Sequence, residues 1–349
     1  MLGDKSKHLP QHFALITLPE FTMMPVTSTI EPLRIANRLS EKMLYKWTMH
    51  SLDGNPVAAS NGILTMVDGD LTTVPEHATI IVCSGLNVQH YGDKRLIGWL
   101  RRTSRHGIDI GAVCTGAHLL AEAGILDGHK CTIHWANLPG FSEAFPGIEA
   151  TDSLFEIDRH RFTCAGGSTP LDMMLTMIAS QHGPNLALSV AERILHSPIR
   201  HHSEHQRMPL PTRIGARHPL LVDIIGEMEM NLEEPLSSSV LAKEAGFSTR
   251  QVERLFRRYL NYSPRRYYLQ LRLKRARSLL LQTKMSVINV AIACGFSSPS
   301  HFSKCYRNLY GRTPGREREI PVPEQYRADG KFCHTDCLGR QERPVAVID

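Results

Sequence analysis

The chain has no uninterrupted run of 18 apolar residues, which leaves no segment able to cross a bilayer as a helix. Its N-terminus, MLGDKSKHLPQHFALITLPE, holds only a six-residue apolar stretch and no cleavage pattern, so a cytoplasmic location and no membrane partner are expected. Cysteine is sparse and scattered: eight residues, Cys83, Cys114, Cys131, Cys164, Cys294, Cys305, Cys333 and Cys337, in 349. That density excludes the disulfide framework of a small secreted domain and predicts buried thiols. Acid is scarce in one place: between residues 250 and 277 there are ten Lys+Arg and a single acid, Glu253. Residues 213–320 hold 19 Lys+Arg against nine Asp+Glu, a net of +10 in a chain whose total is +6, so the remainder carries −4. One end is basic, and nucleic acid is the partner such an asymmetry suggests.

What is present divides in two, as a chain of this length should. From residue 12, strand-like and helix-like runs alternate: FALITL, the helical STIEPLRIANRL, YKWTMHSL, a hairpin signal at Asn61-Gly62, TIIVCSG, the helical DKRLIGWLRRTSRHG, and IDIGAV. Further on, KCTIH, LFEIDR and RFTCAG read as strands, and STPLDMMLTMIASQHG and PNLALSVAERILHS as helices. The alternation predicts an α/β domain at 10–197, a parallel, flavodoxin-like sheet with helices on both faces. Residues 198–216 carry three prolines and no helical period and read as a linker. An all-α domain is expected at 217–320, followed by a tail at 321–349.

The all-α part repeats itself. LAKEAGFS (241–248) matches VAIACGFS (290–297), and LNYSP (260–264) matches YGRTP (310–314). Each copy is a helix-turn-helix: Ala242 or Ala291 at the crossing, Gly246 or Gly295 in the turn, Phe247 or Phe296 plugging the core, Ser248 or Ser297 capping the second helix. That second helix is the one a DNA reader lays in the major groove. Its donors are Arg250, Gln251, Arg254, Arg257 and Arg258 in the first copy and Ser298, Ser300, His301, Lys304 and Arg307 in the second. Val252, Leu255, Phe256 and Tyr259 form the apolar face of one, Phe302, Cys305, Tyr306 and Leu309 that of the other. A long helix through SPRRYYLQLRLKRARSLLLQ would hold the two reading heads about 34 Å apart, one turn of duplex. A merely solvated basic surface is the plainer alternative. With GFS, HFS, YR and G.TP in 295–314, this segment resembles the AraC/XylS DNA-binding domain. The resemblance implies sequence-specific transcription control, usually activation, by a dimer on DNA, with RNA polymerase as a partner.

In GAVCTGAHLL (111–120) an apolar strand runs into Cys114 and an amphipathic segment leaves it, the order of a nucleophile elbow. Ala112 and Gly116 supply the small residues such a turn needs, and the start of the following helix favours thiolate over thiol. Gly85 and Leu86 could offer backbone N–H groups to an anion, and His134 in CTIHW is a candidate partner for the cysteine. The plainer readings are a buried thiol and an ordinary core His134–Trp135 pair.

VCTGAHLLAEAGILDG, TIHW and FTCAGGSTPLDMML resemble the PfpI-type branch of the class I glutamine amidotransferase-like superfamily, and the whole chain resembles the GlxA family of regulators. Two departures count against turnover. Where amidotransferases carry an acid two positions after the histidine, this chain has Ala136, and alignment through IEPLRIAN puts Met23 where PfpI-type enzymes have a glutamate. Cys114 is therefore expected to be vestigial and the protein not an enzyme. Gly85, Leu86, Cys114, Thr115, His134 and Trp135 are expected to line a small-molecule pocket, with no cofactor and no metal. The resemblance implies effectors from nitrogen catabolism: amino acids, amides, or quaternary amines such as betaine and carnitine. A cysteine hydrolase (amidase or deglycase) fused to a DNA-binding domain, and a sensor that signals by oxidation of Cys114, are the competing readings. The histidines of HSPIRHHSEH (196–205) fit no closed tetrahedral metal site, and Cys333 and Cys337 are read as part of an exposed tail.

Overall fold

A computed structural model describes residues 10–216 and 218–318, so Cys333, Cys337 and the tail 321–349 lie outside the described residues. The chain divides into two compact units between Gln206 and Arg207.

The first unit contains, in order, β1 (Gln11–Thr17), α1 (Met23–Ser40), β2 (Tyr45–His50), β3 (Val57–Ala58), β4 (Leu64–Thr65), β5 (Thr79–Cys83), α2 (Lys94–Ser104), β6 (Ile110–Val113) and α3 (Ala117–Glu122). Then follow β7 (Cys131–Thr132), α4 (Leu138–Ala144), β8 (Ala150–Thr151), β9 (Phe155–Asp158), β10 (Arg161–Cys164), α5 (Thr169–His182) and α6 (Pro184–Arg193). The main sheet has the order β2-β1-β5-β6-β10-β9, parallel throughout except for β9, which pairs antiparallel with β10. Side chains alternate across it, as the two-residue strand period demands. Phe13, Leu15, Ile81, Cys83 and Phe162 enter a core with α1, α5 and α6. Ala14, Ile16, Ile80, Val82 and Ala112 enter a second core with α2 and α3 on the opposite face. Burial on both faces explains why TIIVC is apolar without a break. The hairpin signalled by Asn61-Gly62 is the β3–β4 pair. LPGFSEA is the short helix α4, with Pro139 in its first turn.

The second unit is helical: α7 (Leu210–Arg213), α8 (Pro219–Met230), α9 (Ser238–Glu244), α10 (Thr249–Leu260), α11 (Pro264–Gln282), α12 (Val287–Ala293), α13 (Pro299–Tyr310) and α14 (Pro314–Glu317), with no strand among the described residues. It has two cores. Leu221, Ile225, Leu241, Val252, Phe256, Tyr267 and Tyr268 form one. Leu273, Ala276, Leu279, Val290, Phe296, Phe302 and Tyr306 form the other. α11 supplies residues to both.

The segment 198–216 is divided between the units. Residues 198–206 are pinned to the first, where the Leu154 N–H donates to His202 O at 2.9 Å and the Arg200 guanidinium holds Asp172. Leu210, Ile214 and Ala216 pack in the first helical core.

Glu317 locks α14 to the second core. Its carboxylate is fully buried and accepts from Arg277 Nε at 2.9 Å and Arg312 Nε at 2.6 Å. Burial pushes this carboxyl up, but the two guanidiniums outweigh burial and hold it below the ordinary carboxylate range. A depressed carboxyl contributes stability that is complete above the unfolded value near pH 4.3 and is lost as pH falls through the folded value. Glu317→Ala should cost about 1–3 kcal/mol, since it removes charged hydrogen bonds from two guanidiniums that are each about a third exposed and can turn to water. Thermal melts from pH 6 down to pH 3 should show a decline in stability that Glu317→Gln flattens.

Candidate effector site and nucleic-acid interface

The C-terminal ends of β1, β5 and β6 bring three loops together, the location where open parallel sheets place their sites. Cys114 follows β6 with φ 60°, a conformation costly to a residue with a Cβ, and is only 7% exposed. Glycine is required on two sides of it. A Cβ on Gly116 would stand 2.5 Å from Val82 O, and one on Gly166 3.0 Å from Cys114 Cβ. Sequence reasoning identified Gly116 and missed Gly166, although the Gly-Gly of FTCAGGST was its signal.

Burial raises the Cys114 pKa; the Thr22 hydroxyl, 3.7 Å from Sγ, and the Thr115 amide pull it down and lose. The expected thiolate is thus corrected to a thiol. The reason is magnitude: a helix terminus supplies at most about 2 kcal/mol, and α3 has only six residues, whereas full burial can shift a pKa by several units. Met23 opens α1 and packs against the core, and Thr22 is the first-loop side chain that meets the thiol. The acid of that loop, Glu20, is buried and accepts from Asn87 Nδ2 and Tyr91 OH at 2.8 Å each, so it braces the neighbouring loop.

Of the other expected wall residues, Thr115 is buried and donates from Oγ1 to Gly85 O at 2.6 Å, which ties the elbow to the β5 loop. Leu86 is corrected as an anion donor, because its N–H is spent on Glu20 O at 3.2 Å; its side chain is exposed. His134 does lie beside the elbow, with its N–H donating to Cys114 O at 3.3 Å. Its Nδ1 accepts from the Ala136 N–H at 3.3 Å, and burial lowers its pKa, so the ring is neutral at pH 7. The exposed Trp135 ring lies 5.5 Å from that imidazole. These residues make a polar, shaped surface with a thiol but no carboxylate to orient a base. A concavity of about 580 Å³ lined by Leu71, Val74, Trp99 and Ile108 lies at the other end of β5 and β6 and includes none of them.

Histidines of the 196–205 stretch are engaged singly: His196 Nε2 with Asp172 at 2.8 Å and His205 Nδ1 with Asp152 at 2.6 Å. Among the described residues no group of three or more His, Cys, Asp or Glu is placed to hold a metal ion.

In the helical unit, Gly246 (φ 75°) and Gly295 (φ 72°) make the two turns. Ser248 caps α10 in a reciprocal box with Gln251, whose Oε1 accepts from the Ser248 N–H at 2.9 Å. In the second copy the cap is Ser298, not Ser297: its hydroxyl accepts from the His301 N–H, because Pro299 fills the first helical position. The two Phe residues also part company. Phe296 is buried, but Phe247 is 44% exposed. Tyr259 and Leu309 are exposed too, so the apolar faces narrow to Val252, Phe256 and Leu260, and to Phe302 and Tyr306.

Arg250, Gln251, Arg254, Arg257 and Arg258 are all exposed on α10, and Ser300, His301, Lys304 and Arg307 on α13; Ser298 is half-buried at its cap. Ser248, Arg250, Gln251, Glu253, Arg254 and Arg257 line a cleft of about 410 Å³. Not every base of the 250–277 run faces out. Arg272 donates from α11 to Cys294 O at 2.7 Å and Gly295 O at 2.6 Å and lies 4.1 Å from the Phe296 ring. It clamps the second turn, a role hidden in a run of like charge.

Comparison with known proteins returns the same two parts. Residues 15–180 match the DJ-1/PfpI family and residues 241–320 a helix-turn-helix domain. The HTH-type transcriptional regulator GbdR of Pseudomonas aeruginosa is 46% identical over 325 residues, 90% of this chain and 89% of that one. CdhR of the same organism is 43% identical over 312 residues (89% and 93%), and GlxA of Rhizobium meliloti 38% over 320 (91% and 98%). Fold and site thus define a transcriptional regulator that joins a DJ-1/PfpI-type α/β sensor domain to an AraC-type helix-turn-helix domain. The chain belongs to the GlxA family of these regulators.

The protonated state of Cys114 is open to measurement. Iodoacetamide should modify it at least about tenfold more slowly than free cysteine at pH 7.5, with a rate that climbs through pH 9. Peptide mass spectrometry would contradict the assignment by finding a fast rate that is flat from pH 6 upward.

Proposed function

We propose that the protein is a one-component switch. A small nitrogenous metabolite binds the loops around Cys114, Thr115, His134 and Trp135, and its binding sets how well a homodimer engages promoter DNA. The reading places the protein in the cytoplasm as an activator of catabolic genes, acting with RNA polymerase and carrying out no turnover. The observation that carries it is the pair of capped, exposed basic helices, α10 and α13, braced on one helix. Against turnover stand the buried neutral thiol and the hydroxyl of Thr22 in place of an acid. Trp135 offers an exposed aromatic face to an onium or ammonium group, and the family resemblance supplies the ligand class of amino acids, amides and quaternary amines such as betaine and carnitine. Of the ten DNA-facing side chains, those that reach phosphate supply affinity and those that reach base edges supply specificity.

The ligand can shift DNA binding only by its differential affinity for two arrangements, about 1–3 kcal/mol for a typical coupling. A thermal-shift screen of amino acids, amides, betaine and carnitine against the full chain should find a compound that raises Tm. Cys114→Ala should keep the ligand response of promoter binding. Arg254→Ala or Lys304→Ala should weaken binding and lower the salt slope by about 1 for each phosphate that is no longer neutralised. Turnover of an amide or aldehyde adduct that Cys114→Ala abolishes would favour the hydrolase instead.

A further inference from the structure

After α6 the chain doubles back across the first unit as a strap that ends at Gln206, the last residue before the helical unit. Two clamps hold it. At the first, the fully buried Asp172 accepts at Oδ1 from His196 Nε2 and the Arg200 N–H (2.8 Å each), and at Oδ2 from the Arg200 guanidinium (3.0 and 2.6 Å). At the second, Gln206 Nε2 donates to Thr132 Oγ1 at 2.9 Å, Ile133 O at 3.0 Å and Ser153 O at 3.0 Å, and its backbone N–H donates to Asp152 O at 3.2 Å.

The second clamp touches the effector site through a single peptide group. Ile133 C=O, which Gln206 holds, and His134 N–H, which donates to Cys114 O, belong to one peptide plane. A peptide plane is rigid, so rotating it to break one of these bonds strains the other. The clamp is also incompletely satisfied: Gln206 Oε1 is buried and without a partner among the described residues. Release would return that carbonyl to water, which brings the clamped and released states closer in free energy.

We propose that Gln206 is the positioning residue through which the wall of the Cys114 site sets how much chain lies between the last anchor on the sensor and α7 of the DNA-binding unit. The inference rests on the proposed effector site and supplies its regulation. With Gln206 clamped, residues 207–209 join the strap to α7, a reach of about 10 Å, with Arg207 facing Glu229 at 3.8 Å; with the clamp released back to the Leu154 hydrogen bond on Glu204 O, residues 205–209 span about 17 Å. A ligand that tilts the 133–134 peptide therefore changes how far each DNA-binding unit of a dimer reaches.

The test uses the full chain without any ligand, so failure to find an effector leaves it intact. Gln206→Ala should speed both tryptic cleavage after Arg207 and hydrogen exchange of the His134 amide by about tenfold, the weight of one net hydrogen bond. Gln206→Glu, which faces a carboxylate toward two carbonyls, should do the same and serves if the alanine variant does not fold. Glu204→Ala loosens the strap between the clamps, where Glu204 accepts from the His201 N–H at 2.8 Å, and should leave the His134 amide at the wild-type rate. Faster cleavage with unchanged His134 exchange would reduce Gln206 to an anchor and overturn the proposal. So would equal acceleration of the His134 amide by Glu204→Ala.

Discussion

One helix buried in two cores organises the DNA-binding half of this protein. α11 gives Tyr267 and Tyr268 to the core of the first helix-turn-helix and Leu273, Ala276, Leu279 and Leu280 to that of the second. Its 19 residues span about 28 Å. Because interiors are close-packed, neither motif can turn about this helix without opening a void. Arg272, between the two apolar sets, binds the carbonyls of the second turn, and a Cβ on Gly295 in that turn would stand 2.6 Å from Pro235. The relative orientation of the two motifs is therefore fixed by folding.

The sensor half keeps an elbow geometry around a buried thiol. The elbow keeps its positive φ, its glycines at 116 and 166 and its helix start, all of which are demands of packing. A thiolate needs more than the elbow. Burial opposes it, the neighbouring first-loop side chain is a threonine, and the acid of that loop serves two other donors. What remains is a partly polar surface joined by one peptide plane to the strap that leads toward the DNA-binding unit.

Elements whose signal is local were legible in the sequence. The apolar runs of β5 and β6 announced strands buried on both faces, and the repeated Gly-Phe-Ser announced both turns. Pro299 could have placed the second cap at Ser298, since proline favours the first helical position. The fate of Phe247 was not legible, because identical motif residues meet different neighbours in the two copies. Nor was the strap: its prolines and histidines look like linker, and the groups that pin it, Asp172 and Thr132, lie tens of residues away in the chain. The thiolate expectation failed for the same reason, since a helix start is visible locally and burial is not.

Hydroxyl-radical footprinting of the full-length protein on a duplex it selects tests most directly whether both turns aim their helices at one DNA. Two protected tracts on the same face of the duplex, centred about 10 base pairs apart, are the predicted result. A single tract, or two on opposite faces, would contradict a fixed pair of reading heads held by α11.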